Sequence, residues 1–132
     1  MGFKRLIIQD SALSRVSRIG DTIVNPAITT IAADANDTIT VAKIAGAVVQ
    51  YTGFTAGRTL TTDTAANILA AYPEMDVGDS ISMLVSCVAA FAGTYAAGAG
   101  VTLAGRATTP ASSYSKVYIT KTSATAMTWT VL

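Results

Sequence analysis

The sequence contains no histidine among its 132 residues. Histidine is the side chain that most often serves as a general base at neutral pH, and it is also the commonest metal ligand. Its absence removes every Ser-His and Cys-His catalytic arrangement and leaves little beyond carboxylates and hydroxyls for chemistry. The composition therefore argues against an enzyme, and we expect a protein that functions by binding.

Cysteine is nearly absent as well. The single Cys87 excludes an internal disulfide and a paired-cysteine metal site. It lies in an apolar run, which predicts a buried thiol that acts as a small hydrophobic side chain rather than a reactive one. The Asp/Asn cluster at residues 34–37 supplies too few oxygen ligands for a calcium loop, and solvated turn residues are the better interpretation. The sequence thus predicts no metal and no cofactor.

Charged residues are scarce, at 13% of the chain, whereas hydrophobic residues make up 51%. Soluble domains usually carry about 25% charged residues. The net charge is only +1, which gives no basic surface for nucleic acid. A protein with so little charge is poorly protected against association. We therefore expect much of its surface to be covered by copies of the same chain or by another protein.

One uncharged stretch, residues 81–101, is long enough to cross a bilayer. Three glycines interrupt the stretch and its neighbourhood, and in its first half apolar residues alternate with serines, which is typical of a β-strand. No Lys/Arg cluster flanks it. We predict a strand and no membrane partner here, with a transmembrane helix as the alternative.

The sequence after residue 27 mostly predicts short strands separated by polar turns. Alternation is clearest at residues 80–87, 116–120 and 126–131, and further strands are predicted at residues 28–33, 38–41, 47–52, 58–61 and 101–104. This spacing is typical of a sandwich or barrel. We predict a mainly β fold, a small antiparallel β-sandwich that is jelly-roll-like.

A single segment has helical spacing. Its apolar residues recur at i, i+3, i+4 and i+7, namely Ala65, Ile68, Leu69 and Tyr72. Asp63 precedes them as a candidate N-cap, and Pro73 ends the pattern. We predict one short helix, laid with its apolar face over an open end of the sandwich.

Residues 1–27 differ from the rest of the chain. They hold four of the nine basic residues and show no clean periodicity. We predict an extended N-terminal arm over residues 1–27 that acquires structure against a neighbour, followed by a β-sandwich domain over residues 28–132. The alternative is a first edge strand at residues 6–9 followed by a loop.

Four short segments occur in an order that resembles phage virion proteins. They are the "TAANI" helix at residues 64–68, "VGDS" at 77–80, "GAGVTLAG" at 98–105 and "YSKV" at 114–117. Over residues 60–131 the chain is similar to bacteriophage capsid decoration (cement) proteins and, less closely, to head or tail fibre modules. It departs from their pattern after Val85, where "SCVAAF" replaces a polar turn.

The resemblance implies a non-enzymatic structural virion protein. Such a protein is made in the bacterial host cytoplasm, is usually a homotrimer, and binds the capsid exterior, where it bridges neighbouring major capsid proteins. We predict that the basic residues of the arm contact the capsid, because a segment that orders on its partner can cover a large surface. These residues are Lys4, Arg5, Arg15 and Arg18. Solvated surface charges are the alternative interpretation.

A second functional hypothesis is a phage head or tail fibre or receptor-binding module that recognises a cell-surface glycan. It predicts an exposed cluster of aromatic side chains with Asn or Asp nearby. A major capsid protein is disfavoured because 132 residues are few for the usual shell folds.

Overall fold

The computed structural model describes residues 28–132. Strands make up 47% of the structure and helices 12%, which confirms the predicted mainly β, sandwich-like class. The predicted division between an arm and a domain at residue 27 stays a prediction. The arm lies outside the described residues, together with its four candidate capsid contacts, Lys4, Arg5, Arg15 and Arg18.

Ten strands and two helices follow one another along the described residues. The strands are β1 (Ile28–Ile31), β2 (Asp37–Ile39), β3 (Val48–Tyr51), β4 (Arg58–Thr62), β5 (Ser80–Cys87), β6 (Gly93–Ala96), β7 (Val101–Gly105), β8 (Thr108–Thr109), β9 (Ser113–Lys121) and β10 (Met127–Val131). The helices are α1 (Val41–Gly46) and α2 (Ala65–Ala71).

The strands form two sheets, and the chain alternates between them. One sheet has the order β1-β3-β5-β9-β10-β7 and the other β2-β4-β6-β8. From β1 to β6 the chain crosses to the opposite sheet after every strand, so each of the strands β3 to β6 lies beside the strand two steps earlier. The chain thus winds around a common core.

The predicted antiparallel pairing is wrong for most of the molecule. The pairs β1–β3, β3–β5, β2–β4, β4–β6 and β7–β10 are parallel, and only β5–β9, β9–β10 and β6–β8 are antiparallel. Two successive crossings return the chain to its first sheet in the original direction, which produces parallel neighbours. This mixed pairing also differs from the predicted jelly-roll-like arrangement, whose strands are antiparallel.

The predicted helix is confirmed as α2, although its cap is not the predicted one. Thr64 is the N-cap residue, and its hydroxyl oxygen accepts a hydrogen bond from the backbone N–H of Asn67 at 3.1 Å. Ile68 is buried in the core. The helix ends at Ala71, and its C-cap residue Tyr72 directly precedes Pro73, which cannot continue the hydrogen-bond ladder.

A second helix, α1, was not predicted, and the prediction of a single helix is therefore wrong. The pattern predicted that a strand would continue to Val41, but α1 begins there. Its N-cap residue Thr40 makes no side-chain cap. Instead, the carboxylate of Asp63 accepts a hydrogen bond from the N–H of Val41 at 2.9 Å. Because this cap comes from a residue distant in sequence, the residues around Val41 contain no signal for the start of a helix.

The core lies between the two sheets. Alternate residues along most strands point their side chains into it. Trp129 is the largest of the fully buried side chains. Ile44 of α1 and Ile68 of α2 belong to the same cluster as the strand residues. Both helices therefore contribute to one continuous core.

Cys87 is buried in this core, as predicted. Burial raises the pKa of its thiol, and a backbone hydrogen bond from Gly93 only partly opposes this effect. The reactive thiolate form is therefore disfavoured as well as inaccessible.

We expect Cys87 to resist a thiol-specific reagent at pH 8 in the folded protein and to react fully in denaturant. The measurement is the absorbance of the chromophore that the reagent releases, recorded with and without denaturant. About 6 M guanidinium is used, because this concentration unfolds even very stable domains. Rapid reaction of the folded protein would show that β5 opens readily. That result would contradict the burial of its inward-facing side chains.

No helix among residues 28–132 is long and apolar enough to cross a membrane. The uncharged stretch that raised this alternative forms β5, β6 and the start of β7.

Candidate interaction surface

The outer side of the six-stranded sheet, here called the large face, is almost free of charge. Because side chains alternate along each strand, every residue between two buried ones points away from the core. The outward-facing residues are Ile28, Thr30, Val48, Gln50, Ser80, Ser82, Leu84, Ser86, Thr102, Ala104, Tyr114, Lys116, Tyr118, Thr120, Thr128 and Thr130. Lys116 is the single charged residue in this set.

The strand register aligns an apolar row across the large face. Ile28 lies opposite Val48, Val48 lies opposite Leu84, and Leu84 lies opposite Lys116. Ile28 is 61% exposed although it is a large aliphatic residue. Beyond Lys116, the N–H of the exposed Leu132 donates to the Lys116 carbonyl at 2.9 Å. Four aliphatic side chains therefore flank one lysine in a single line.

A second row on the large face consists only of hydroxyls. Ser80 lies opposite Thr120, Thr120 opposite Thr128, and Thr128 opposite Thr102. The hydroxyls of Ser80 and Thr120 are 2.6 Å apart and hydrogen-bonded. Each hydroxyl can donate and accept, so this row can pair with many polar partners.

The one charge on the large face is held against an aromatic ring. The ammonium of Lys116 lies 5.6 Å from the ring centroid of Tyr118, two residues further along β9. A cation over the face of a ring is attracted by the negative potential there. The positive charge is therefore drawn toward the protein's own surface.

Among residues 28–132, the outward-facing strand positions of the four-stranded sheet, here called the small face, are also uncharged, but none of them is a large apolar residue. Thr38 lies opposite Thr61 and Thr59 opposite Thr94, which in turn lies opposite Thr108. The remaining outward position is Ala96, opposite Thr61. The two faces thus share neutrality and differ in apolar content.

Charged side chains of the described part lie instead in loops, in helices and at strand ends. Asp34 accepts hydrogen bonds from the hydroxyl of Thr55, from the Thr55 backbone N–H at 3.0 Å, and from Nε of Arg58 at 2.9 Å. These bonds, those from Thr55 first, lower the pKa of Asp34 to about 2. The predicted solvated turn acid is therefore a structural acceptor that ties two loops together.

Asp37 has a similar structural role. Its Oδ2 accepts hydrogen bonds from Nζ of Lys43 at 2.5 Å and from the hydroxyl of Tyr51 at 2.7 Å. Burial, reinforced by this hydrogen bond to Asp37, raises the pKa of Tyr51. Beside this pair an open polar groove of ≈ 360 Å³ is lined by Asn36, Asp37, Thr38, Thr40, Lys43 and Thr61. Sequence reasoning did not single out this groove, because its lining residues lie in or beside β2, β4 and α1 and meet only in the folded chain.

Asp63 connects the two helices. Its Oδ2 accepts from Val41 of α1, and its Oδ1 accepts from the Thr64 N–H and from Nδ2 of Asn67, both at 2.8 Å. Burial raises the pKa of Asp63, but the hydrogen bonds from Asn67, Thr64 and Val41 outweigh it, and the pKa is lowered overall. The ionised carboxylate therefore stabilises the fold.

We expect Asp63→Ala to lower the free energy of unfolding by about 1–3 kcal/mol at pH 7, because buried N–H groups lose their acceptor. The folded pKa lies below the unfolded one, so this contribution is present above the unfolded pKa and disappears as the pH falls through the folded pKa. Urea unfolding at pH 7 and at roughly pH 2.5, below the usual carboxyl pKa, should show the difference between variant and wild type shrinking. The exposed Glu74→Gln serves as control; an equal loss in it would contradict the assignment.

One end of the sandwich exposes aromatic and aliphatic side chains, and the loop that contains Asp34 emerges at the same end. Ile31, Tyr51, Cys87 and Ser113 lie in one row, so the loops that follow β1, β3 and β5 emerge at the same end. At this end Val88, Phe91 and Tyr114 are exposed, with Tyr114 at 63%.

The "GAGVTLAG" segment has a structural explanation. The N–H of Val101 donates to the carbonyl of Gly98 at 3.1 Å, which closes a tight turn before β7. A Cβ on Gly98 would lie 2.5 Å from the carbonyl oxygen of Thr62, and Gly105 adopts φ +82°. Both positions therefore require glycine, and the segment fixes the fold rather than forming a binding loop.

Within residues 28–132, no group of three or more side chains is arranged to hold a metal ion. A scan against protein-family models, a search of the curated proteins and a search of the solved structures found no match to this chain.

Proposed function

We propose that this chain is a non-enzymatic structural virion protein that binds the outside of a bacteriophage capsid and stabilises it by bridging neighbouring major capsid proteins. The observation that carries the proposal is the near absence of charge on both the large face and the small face. The cores of protein–protein interfaces are depleted in charged residues in the same way.

Bridging requires two separate contact surfaces on one rigid body. The large face and the small face lie on opposite sides of a sandwich whose strands are hydrogen-bonded into two sheets. A two-sided neutral body of this kind can contact two partners at once, and the proposed partners are the major capsid protein and copies of the same chain, as a homotrimer. The four segments that resemble decoration proteins belong to α2, to the loop before β5, to β7 with its preceding turn, and to β9.

The basic arm is the proposed capsid contact. The arm precedes Ile28 in the sequence, and Ile28 is the first residue of the edge strand β1. The charges of the arm would add directional contacts to an otherwise neutral interface.

The test is co-sedimentation of the purified protein with empty capsids assembled from the major capsid protein of the same virus. We expect near-stoichiometric binding and a higher melting temperature of the shell. Absence of both would overturn the proposal.

Two variants locate the contact. Deletion of residues 1–20, or replacement of Lys4, Arg5, Arg15 and Arg18 by glutamine, should leave a folded domain that no longer binds capsids. The matched control is Arg106→Gln, which neutralises an exposed basic residue of the domain. Undiminished capsid binding by the truncated protein would refute the arm assignment.

A receptor-binding fibre module is the second candidate. The exposed Phe91 and Tyr114 lie at the same end of the sandwich as Asp34, and the polar groove beside Asp37 is open. Aromatic rings with nearby polar groups can stack against sugar rings. Retention on immobilised bacterial surface glycans that is lost in Phe91→Ala and Tyr114→Ala, without capsid binding, would favour this candidate.

A further inference from the structure

The large face is somewhat smaller in projection than one side of a standard protein–protein interface. Six strands about 4.8 Å apart span about 24 Å, and β5 and β9 at about 3.3 Å per residue extend roughly 26–30 Å. With the shorter outer strands, the face projects to roughly 500 Å², and the relief of its side chains makes the accessible area larger. Standard interfaces bury about 800 Å² on each partner. One partner of similar size would therefore cover most of the face.

The chemistry of the large face fits a second copy of itself. A face that carries net charge of one sign repels a second copy of itself, because charges of the same sign then lie on both sides of the contact. Here the only charge is Lys116, which lies over the ring of Tyr118. Serine and threonine hydroxyls donate and accept equally, which makes the row of Ser80, Thr120, Thr128 and Thr102 complementary to its own copy.

The apolar row supplies the driving force for association. Ile28, Val48 and Leu84 form a continuous stripe, and Leu132 extends the line beyond Lys116. Burial of exposed aliphatic area is favourable at about 25 cal/mol per Å². The small face has threonines and one alanine in place of such a stripe, so it lacks this driving force.

We infer that the large face is the surface through which copies of this chain associate, which leaves the small face and the loops free for other partners. This inference rests on the self-association in the proposed function and assigns it to one side of the sandwich. Lys116 and Tyr118 lie inside the resulting interface.

The experiment compares a lysine placed on each face. Ser82 and Thr94 are both exposed hydroxyl residues on inner strands of their sheets, β5 and β6. Ser82→Lys should convert the assembly to monomers, with the dissociation constant raised at least 100-fold, whereas Thr94→Lys should leave the mass unchanged. Mass is measured by light scattering after size exclusion, and folding is checked by circular dichroism.

Thr102→Lys, exposed on the large face, asks the same question if Ser82→Lys fails to fold. An unchanged mass in the large-face variant, or equal dissociation of Thr94→Lys, would overturn the inference. A monomeric wild type that still co-sediments with capsids would overturn the inference and leave the proposed function standing. A stable assembly that ignores capsids would do the reverse.

Discussion

Trp129→Ala is expected to lower the free energy of unfolding by about 3–5 kcal/mol, the usual range for removing a buried tryptophan. Trp129 is fully buried on β10, where it lies opposite Ile119 of β9 and Leu103 of β7. Its removal leaves a cavity between the two sheets that neighbouring strands cannot fill without breaking their ladders. Urea unfolding followed by circular dichroism measures the loss.

The matched variant is Trp129→Phe. The indole Nε1 of Trp129 finds no hydrogen-bond partner in the part of the chain that the structure describes. Phenylalanine removes this buried donor and keeps most of the ring, so we expect at most about half the loss seen with alanine. A loss below about 1 kcal/mol in Trp129→Ala would contradict a tightly packed core around β10.

Gly105→Ala is expected to cost about 3 kcal/mol or more. Gly105 has φ +82°, a conformation that costs a residue with a Cβ about 1–2 kcal/mol. Its Cβ would also lie 2.1 Å from the carbonyl oxygen of Val131. That oxygen accepts the N–H of Arg106 at 2.8 Å, so the backbone must shift and the hydrogen bond, worth about 1 kcal/mol, is lost.

Gly78→Ala distinguishes the cost of backbone strain from the cost of a steric clash. Gly78 has φ +100°, but a Cβ there would meet no atom within 4 Å. We expect only the backbone cost of about 1–2 kcal/mol in this variant. Equal losses in Gly78→Ala and Gly105→Ala, measured by the same unfolding experiment, would show that the end of β7 shifts freely and is not held by β10.

Elements whose pattern is local could be predicted from the sequence. The alternation of Ile81, Met83 and Val85 with serines predicted β5, and the spacing of Ala65 and Ile68 predicted α2. Each of these signals lies within the element that it specifies.

Features that depend on distant residues could not be predicted. The helix α1 starts where Asp63, 22 residues away, accepts the N–H of Val41. The parallel pairing depends on whether the chain stays in one sheet or crosses to the other after each strand. Short polar turns occur in both cases, so the turn sequence does not distinguish them. Asp34 looked like a solvated turn residue because Thr55 and Arg58 meet it only in the folded chain.

The sequence predicted that the protein has an interaction surface but not where on the fold that surface lies. The low fraction of charged residues predicted a surface covered by partners. Its position required the register that brings Val48 opposite Leu84 and Leu84 opposite Lys116. No periodicity within a single segment contains that information, because the stripe runs across strands and not along them.

The order of strands in the larger sheet has a consequence for biosynthesis. β9 and β10, the last two strands of the domain, lie between β5 and β7 in that sheet. Until the ribosome has made them, β7 has no neighbour and one side of β5 is unpaired. Only the β9–β10 pair joins segments separated by a short turn, so most pairings require closure of long loops, which slows folding. The sheet is therefore completed only once β10 has been made, and a chain stalled before β9 exposes two strand edges that attract other nascent chains.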